Sequence, residues 1–402
     1  MLIIPDEADR LIHQNLHRLP SEPCELAEAH GRILREDITA DRDLPPFDRV
    51  AMDGYALRFQ ELAGGRRIFT VAALQRAGMP PGSIPKAVDS CIEVKTGSAM
   101  PLGANCVAPY EETERTGDRI TIICELAELR KVQALHLKGS DFKRGAAIVR
   151  SGTTLVSRKL AVAACCGKTV LRVSERPRIT IVVTGAGLVD PGAALEPWQM
   201  RRNIDISLQA SLRAAGFSQV GCISVDDTRA GLAGALCPAV ERGDWVIATG
   251  GISGGDLGFL PGVLSDLGVK IVFHGVAQRP GKQMLFGVGP RKSPIFALPG
   301  NSTAVFICMH RYVIPSLYVA SKARSIGLAK VELAGAVTFE PELDYFLPVK
   351  LDPRSAGRIA IPAPLNSSGD FTHLIGTDGF VVLPAETDAL PAGTTVDFWH
   401  WV

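Results

Sequence analysis

Three glycine-rich segments contain the residue types that let a backbone approach a phosphate or a flat ring. The segment 182–188 (VVTGAGL) contributes Thr184 and Gly185, and the other two segments also follow apolar runs. Glycine leaves room for a ligand and exposes backbone N–H groups that bind anions. A plain turn is the alternative for the first two segments, 182–188 and 248–258, and a helix cap is the alternative for 297–304. The candidates in 248–258 (ATGGISGGDLG) and 297–304 (ALPGNSTA) are Gly250, Gly251, Ser253, Gly254, Gly255, Pro299, Gly300, Asn301 and Ser302.

The segment 297–304 also precedes an apolar stretch that predicts a helix starting near Ser302. Asn301 or Ser302 is therefore expected to cap that helix, whose N-terminus carries partial positive charge and free N–H groups. A cap and an anion site can coexist at this position. The segment 248–258 matches neither a Walker A loop nor the dinucleotide fingerprint G-x-G-x-x-G.

Two cations flank a proline–glycine turn in the segment 277–283 (AQRPGKQ). A rigid turn that presents Arg279 and Lys282 together is suited to an anionic substrate. A solvated hairpin is the alternative. This segment follows another predicted strand, so its position relative to the glycine-rich loops depends on the fold.

The aspartates in or beside turns are candidate metal ligands: Asp53, Asp141, Asp226, Asp227 and Asp256. Carboxylates that converge in space can hold Mg²⁺. From spacing alone, each aspartate is more typical of a turn or a helix cap than of a metal site. The usual ligand spacings of a zinc site are absent, and no histidine forms a recognisable triad with a nucleophile and an acid.

The three glycine-rich segments and the segment with Arg279 and Lys282 lie in a region of alternating strands and helices, 176–327. That alternation predicts a doubly wound parallel sheet, which binds ligands at the carboxyl ends of its strands. Residues 45–138 are predicted as an inserted β-rich domain, and 328–402 as a C-terminal β-barrel. Residues 1–44 and 139–175 are predicted to form one discontinuous linking domain, with helices ending near Pro20 and Gly31.

Composition limits the class of protein. The 402 residues carry 43 basic and 42 acidic side chains, which argues against nucleic acid or an anionic membrane as partner. No apolar run approaches the roughly 20 residues that span a bilayer. Nine cysteines without a C-x-x-C pair indicate reduced, mostly buried thiols and a cytoplasmic location.

Taken together, the motifs resemble those of the molybdopterin molybdenumtransferases of molybdenum-cofactor synthesis, a family that includes the gephyrin E domain. LPPFDRVAMDGYAL is similar to the family pattern PxFDxSAMDGYA, and KTGSAMPLGANCVAPYEE to TGAPLPxGADAVVxxE. GSDFKRG resembles GEDxxxG, TGGISGGD resembles SGGVSxGDYD, QRPGKQ resembles xKPGKP, and LPGNS resembles LPGNP. NSSGDFTHL near the C-terminus also resembles the family, and the order of motifs is kept along nearly the whole chain.

The resemblance implies an α/β multidomain fold: a central molybdopterin-binding α/β domain, a discontinuous linking domain, an inserted β domain and a C-terminal β-barrel. It also implies a homodimer whose active site combines the α/β domain of one subunit with the AMDGYA region of the other. The implied substrates are adenylylated molybdopterin and molybdate, with AMP released and Mg²⁺ assisting. Partners among molybdoenzyme maturation factors are compatible with this function.

The resemblance assigns roles to the candidates. The catalytic set is Asp53, Asp226, Asp227, Asp256 and Lys282, and the metal ligands are Asp53, Asp141, Asp227 and Asp256. Arg279 and Asn203 join the glycine-rich residues in binding substrate.

The chain also departs from the family pattern. TGDEL is replaced by a sequence with Ala186 and Gly187, the second acid of GDYD by Gly258, and DSN by Arg201-Arg202-Asn203. These changes remove candidate ligands and predict a more cationic cleft. Two hypotheses follow: an active transferase with a rearranged acid set, or a non-catalytic or tungsten-selective paralogue that binds molybdopterin, AMP or an oxyanion as a carrier, scaffold or regulator.

Overall fold

The computed structural model describes residues 2–125, 130–185, 187–252, 258–324, 327–339, 342–356, 358–364 and 370–401. The chain forms two compact units. One comprises Met1–Glu36, Ser151–Val156 and Val170–Val402, and the other Asp37–Arg150 and Ser157–Thr169. The α/β multidomain class predicted from the sequence is confirmed. The four domain boundaries given above stay predictions.

A mixed six-stranded sheet forms the centre of the first unit. In spatial order its strands are Val220–Val225, Ile179–Thr184, Trp245–Thr249, Pro294–Leu298, Leu285–Val288 and Lys270–His274. All run parallel except Leu285–Val288, which is antiparallel to both neighbours. The prediction of a wholly parallel sheet was therefore wrong at this edge. A short connection joins Lys270–His274 to Leu285–Val288, and parallel neighbours need a longer crossover.

Helices cover both faces of this sheet, as the doubly wound prediction requires. On one face, Ile181 and Val183 pack with the helices Pro5–Asn15, Ile204–Ala214 and Ser302–Ala320. On the other face, Val182 packs with the helices Arg229–Arg242 and Leu260–Asp266. Neighbouring strand residues thus enter different cores, because side chains alternate across a strand.

The helix Ser302–Ala320 consists of Ser302–Cys308, a π-helical turn Met309–Val313, and Ile314–Ala320. Among the described residues it is the one helix long and apolar enough to cross a membrane by length and composition. Most of it is buried inside the protein, including the charged Arg311. A core helix has the same properties, so this helix is weak support for a membrane span.

The C-terminal region of the first unit is a closed five-stranded barrel, as predicted. Its strands, in order, are Asp344–Leu351, Ile359–Pro362, Ala329–Leu333, Thr395–His400 and Gly379–Leu383. Pairing between the first and last of these closes the barrel. The ladder Val337–Thr338 with Ala389–Leu390 and the 3-10 turns Pro353–Ser355 and Thr372–Gly376 complete it.

The N-terminal part of this unit differs from the sequence prediction. The first helix ends at Asn15, and the second predicted helix is instead the strand Ser21–Glu25 with a 3-10 turn, Leu26–Glu28. The strand pairs antiparallel with Val170–Ser174, far along the chain. Pro20 and Pro23 disfavour a helix here, and Pro23 fits a two-stranded ladder because edge strands tolerate proline.

The second unit contains the predicted β-rich segment. Its six-stranded sheet has the order Cys106–Pro109, Gly54–Leu57, Ser90–Val94, Ile68–Gln75, Arg119–Ile122 and Thr113–Thr116. The core beneath it contains Leu57, Phe69 and Ile120. The remaining elements are the helices Phe59–Ala63 and Ser157–Cys165, the 3-10 turn Tyr110–Glu112, and the ladders Ile38–Thr39 with Ala147–Val149 and Arg49–Val50 with Leu135–His136.

Candidate functional site

The carboxyl ends of adjacent parallel strands bring two of the predicted residues into contact. Thr184 ends one strand, and Asp227 follows the end of its neighbour Val220–Val225. The Thr184 hydroxyl donates a 3.1 Å hydrogen bond to Oδ1 of Asp227. Asp226 is exposed, and its carbonyl accepts the Thr228 N–H at the start of the next helix. Asp227 is therefore the carboxylate that the fold directs against the buried Thr184.

Gly250 and Gly251 pass close to this pair, where a larger residue would not fit. Gly250 has a φ of +91°, and a Cβ added there would lie 2.5 Å from the Thr184 carbonyl oxygen. Gly251 has a φ of +61°, and its added Cβ would lie 3.2 Å from Oδ1 of Asp227. Gly185, after Thr184, is likewise crowded by Leu188. At Gly250, glycine is thus required both by backbone conformation and by close approach to the backbone of Thr184.

A helix N-terminus lies at the same edge of the sheet. The Asn301 side chain accepts hydrogen bonds from the N–H groups of Thr303 (3.0 Å) and Ala304 (3.1 Å), so the predicted cap is confirmed. Two N–H groups that were expected to be free are occupied by this cap. Ser302 donates instead to the side chain of Asn203 at 3.0 Å, which joins the starts of two helices.

The Pro299–Gly300 turn is tied to the neighbouring strand. The Thr249 hydroxyl donates a 3.0 Å hydrogen bond to the Pro299 carbonyl. A Cβ added at Gly300 would lie 3.6 Å from the Gly250 Cα. The described start of the loop after Trp245–Thr249 and the turn after Pro294–Leu298 are therefore adjacent at the carboxyl edge.

The cationic turn lies at that edge as well. Arg279 and Lys282 lie in the connection between Lys270–His274, which ends at this edge, and Leu285–Val288, which begins there. The Arg279 guanidinium lies over the Tyr345 ring, 4.5 Å from its centroid. Lys282 is exposed. The structure therefore fixes Arg279 against the barrel and presents Lys282 to solvent.

The expected cationic effect of Arg202 is partly offset in the structure. Its Nε lies 3.0 Å from Asp190 Oδ1 and 3.6 Å from Asp205 Oδ2. Because two carboxylates face one guanidinium, the charge of Arg202 is partly balanced by its neighbours, and the more cationic cleft stays a prediction. Arg201 donates to the Ala193 carbonyl at 3.1 Å.

In the second unit, Asp53 belongs to a polar network that sequence reasoning missed. Oδ1 of Asp53 accepts 2.7 Å hydrogen bonds from both the N–H and the hydroxyl of Thr96. Lys95 Nζ lies 3.5 Å from Asp53 Oδ2 and donates to the Tyr110 hydroxyl at 2.6 Å. Tyr110 in turn donates to Glu93, 2.5 Å away. The position of Lys95 beside Thr96 in KTGSAMP was the available signal.

The network stabilises the charged form of the half-exposed Asp53. Hydrogen bonds from Thr96, with a smaller contribution from Lys95, hold the pKa of Asp53 below its usual value. The hydrogen bond to Tyr110 raises the pKa of Lys95. Asp53 is therefore anionic and Lys95 cationic at neutral pH, so a fixed cation accompanies this carboxylate.

Asp141 is exposed and engaged by a different group. Its Oδ1 lies 2.7 Å from His136 Nε2, and His136 Nδ1 lies 3.0 Å from Arg49. This arrangement orients His136 between a carboxylate and a guanidinium. A metal at Asp141 would compete with His136 for the same oxygen.

Among the described residues, no group of three or more His, Cys, Asp or Glu side chains could together hold a metal ion. The predicted residues Ser253, Gly254, Gly255 and Asp256 lie outside the described residues, as does Ala186. The described part of the α/β domain therefore brings together Thr184, Asp227, Gly250, Gly251 and the Pro299–Ser302 turn.

Three family models match the sequence in order. They are described as MoeA N-terminal region (domain I and II) over residues 3–167, probable molybdopterin binding domain over 180–318, and MoeA C-terminal region (domain IV) over 330–401. The matched residues cover most of the chain.

Whole-chain relatives agree with these matches. A Synechocystis protein named molybdopterin molybdenumtransferase is 37% identical over 375 residues, which is 93% of each chain. A Staphylococcus epidermidis protein of the same name is 29% identical over 380 residues, 92% of this chain and 89% of that one. The crystal structure of the molybdopterin biosynthesis moeA protein from Pyrococcus horikoshii has a TM-score of 0.80 at 25% identity and covers 100% of both chains. The names of these relatives do not favour a non-catalytic role.

Proposed function

The chain belongs to the molybdopterin molybdenumtransferase family, and we propose that it inserts molybdenum from molybdate into adenylylated molybdopterin and releases AMP. The observation that carries this proposal is the contact between Thr184 and Asp227 beside Gly250 and Gly251 at the carboxyl edge of the sheet. That edge is where doubly wound sheets bind ligands. The glycines give a flat pterin or a phosphate close access to the backbone.

Asp227 is the carboxylate that we place at the reaction centre. The Thr184 hydroxyl holds Oδ1 of Asp227 in one orientation, so the carboxylate is preorganised. We propose that Asp227 positions the metal or the water that cleaves the adenylate, with Asp226 and Asp256 assisting. Asn301, as helix cap, and Ser302, bonded to Asn203, fix the turn that faces the same edge.

Lys282 and Arg279 are proposed to bind the anionic groups of the substrates. Arg279 is held against Tyr345, whereas Lys282 is exposed at the same turn. An ammonium is a suitable point charge for a phosphate or molybdate oxygen. Arg279, whose guanidinium is fixed, can therefore orient an anion. The exposed Lys282 ammonium can neutralise the charge that develops on that anion during the reaction.

We propose that the metal is Mg²⁺ and that Asp227 and Asp256 bind it. Asp53 and Asp141 are further candidate ligands. Mg²⁺ commonly uses one or two carboxylates together with substrate phosphates and waters, so a cluster of three acids is not required. The half-buried Asp227 fits that donor set. The metal would supply charge neutralisation at the adenylate phosphate. Asp141 is the weakest candidate, because His136 already engages it.

We also propose a homodimer in which one protomer supplies Asp53 and its partner supplies the α/β domain. The family resemblance supports this arrangement. The network of Thr96, Lys95 and Tyr110 keeps Asp53 charged and oriented without using any group of the α/β domain. Maturation factors of molybdoenzymes remain proposed partners. All nine cysteines are free thiols, which supports the proposal of a cytoplasmic location.

A single-turnover assay tests the function. The purified full chain is mixed with adenylylated molybdopterin, molybdate and Mg²⁺, and AMP is followed against time. We expect AMP release that requires molybdate and is lost after chelation of the metal. Tight binding of the adenylylated substrate with no AMP release would contradict a transferase. AMP release at the same rate without molybdate would contradict the coupling to metal insertion.

A further inference from the structure

A buried amide lies directly beneath the cationic turn. Gln278 immediately precedes Arg279 and is fully buried. Its side-chain oxygen accepts the hydrogen bond of the Tyr312 hydroxyl, and its amide nitrogen donates to the Pro280 carbonyl at 3.3 Å. The same nitrogen lies 3.5 Å from Cys308 Sγ. Gln278 therefore connects the core helix Ser302–Ala320 to the backbone of the turn.

The turn fits closely over this amide. Gly281 has a φ of +103°, and an added Cβ would lie 2.5 Å from Gln278 Nε2 and 2.6 Å from Cys308 Sγ. The turn is also closed by its own backbone, since the Val276 N–H donates to the Lys282 carbonyl at 2.9 Å. A displaced Gln278 amide would therefore move Pro280 and Gly281, which separate Arg279 from Lys282.

Tyr312 is itself held in place. It is buried within the π-helical turn Met309–Val313, a helix irregularity that often accompanies functional sites. The Arg311 guanidinium lies 4.9 Å from the centroid of the Tyr312 ring, and Arg311 is bound by Asp9 at 2.6 Å. The hydroxyl of Tyr312 thus has a fixed position from which to orient Gln278.

A role limited to core stability would require only that these buried polar groups be satisfied. Here the hydrogen-bond partners also determine the orientation of the Gln278 amide. The two ends of the Gln278 amide have different partners, so loss of the Tyr312 hydroxyl leaves a buried acceptor unpaired and favours movement of the amide. That movement would release the Pro280 carbonyl and thereby the turn.

We propose that Gln278 and Tyr312 are positioning residues that hold the Arg279–Lys282 turn in the geometry that binds the oxyanion of the substrate. The proposal rests on the function proposed above and extends it to residues that touch no substrate. Tyr312 acts through Gln278, and Gln278 acts through the backbone of Pro280 and Gly281.

The variant Tyr312→Phe tests this directly, because it removes only the hydroxyl. The matched control is Tyr318→Phe in the same helix, whose hydroxyl donates to the Ala215 carbonyl at 3.2 Å. The measurements are the Kd for molybdate by calorimetry, the KM for molybdate and the kcat of AMP release, and the melting temperature. Tyr312→Phe is expected to raise Kd and KM about tenfold, the equivalent of one lost hydrogen bond, with a much smaller effect on kcat. Tyr318→Phe should leave Kd and KM unchanged.

A double-mutant cycle with Lys282→Ala separates positioning from stability. If Tyr312 acts through the turn, its effect on Kd should be smaller in the Lys282→Ala background than in the wild type, because only Arg279 then remains to be positioned. A full, additive effect in the Lys282→Ala background would overturn the proposal. So would a Tyr312→Phe protein with the same Kd and KM as Tyr318→Phe.

A second variant, Gln278→Met, keeps the side-chain length and removes both hydrogen bonds. It should raise the Kd for molybdate at least as much as Tyr312→Phe, and an unchanged Kd in a folded protein would also overturn the proposal. Because Kd is measured without turnover, this outcome is independent of AMP release by the wild type. Wild-type protein that binds molybdate but releases no AMP would count against the proposed function alone.

Discussion

Thr184 and Asp227 are 43 residues apart in sequence, and their side chains meet through a 3.1 Å hydrogen bond at the ends of two neighbouring strands. The bond places a half-buried carboxylate against a buried hydroxyl at the ligand-binding edge of the sheet. A similar pair occurs at the opposite end of the same strand, where Thr180 donates to Asp244 Oδ2 at 2.9 Å. Both pairs join a threonine hydroxyl to an aspartate carboxylate, but only the Thr184–Asp227 pair lies at the ligand-binding edge of the sheet.

The first prediction uses these two pairs. Thr184→Val should lower kcat/KM for AMP release about tenfold, because a hydrogen bond to a charged group is lost. Asp227→Asn should lower it about 100-fold, because the charge is lost as well. Thr180→Val removes the matched bond at the other end of the strand and should reduce stability without changing kcat/KM. Equal loss of activity in both threonine variants would show that Thr184 acts only through the fold.

The second prediction concerns the close approach at Gly250. Gly250→Ala should abolish tight substrate binding, because its Cβ would lie 2.5 Å from the Thr184 carbonyl and displace that strand end. Gly65→Ala is a matched control: Gly65 has a similar φ of +90°, and its Cβ would have nothing within 4 Å. Both variants should lose about 1–2 kcal/mol of stability from the left-handed backbone. Substrate binding measured by calorimetry should fall only for Gly250→Ala.

The third prediction tests the cation beside Asp53. Lys95→Met removes the ammonium that lies 3.5 Å from the Asp53 carboxylate and donates to Tyr110. Because the pair is partly exposed, kcat/KM should fall by no more than about fivefold, the upper range for such ion pairs. Asp53→Ala should cause a far larger loss. The control is Lys86→Met, which replaces an exposed lysine of the same unit. A Lys95→Met loss as large as that of Asp53→Ala would show that Lys95 itself binds substrate.

The fourth prediction is a pH dependence of stability at His310. Burial lowers the pKa of His310 to about 4, although its Nδ1 interacts with the Phe306 carbonyl. The unfolded chain binds a proton near pH 6.5 and the folded chain does not, so folding is progressively disfavoured as the pH falls from about 6.5 to about 4. The contribution amounts to about 2 kcal/mol between pH 7 and pH 5.

The variant His310→Asn keeps a nitrogen donor for the Phe306 carbonyl and removes the titration. Urea unfolding is followed by tryptophan fluorescence, because the Trp401 ring lies 5.2 Å from the His310 ring. Between pH 7 and pH 5, the free energy of unfolding of the variant should fall by about 2 kcal/mol less than that of the wild type. His17→Asn, at an exposed position, should behave like the wild type. Parallel pH profiles of wild type and His310→Asn would contradict the prediction.

The sequence alone determined the alternation of strands and helices in most of the α/β region and the residues at several strand ends. Glycine, threonine and asparagine after apolar runs made Thr184, Gly250 and Asn301 candidates, because strand and helix periodicity places them at element ends. The role of Asp227 came from the family resemblance. The motifs also predicted the family, which the comparisons confirmed. The residues at element ends are local signals, each read from a short segment. The family motifs are also short segments, and their fixed order along the chain adds to the signal.

Only the tertiary structure decided which of these residues meet and which charges are neutralised. The antiparallel strand Leu285–Val288, the pairing of Arg202 with Asp190 and Asp205, and the contact of Lys95 with Tyr110 all depend on the spatial arrangement of separate segments. The link from Tyr312 through Gln278 to the cationic turn is of the same kind. Sequence periodicity specifies which face of an element is buried, whereas hydrogen bonds and ion pairs form between whichever side chains the packed elements bring together.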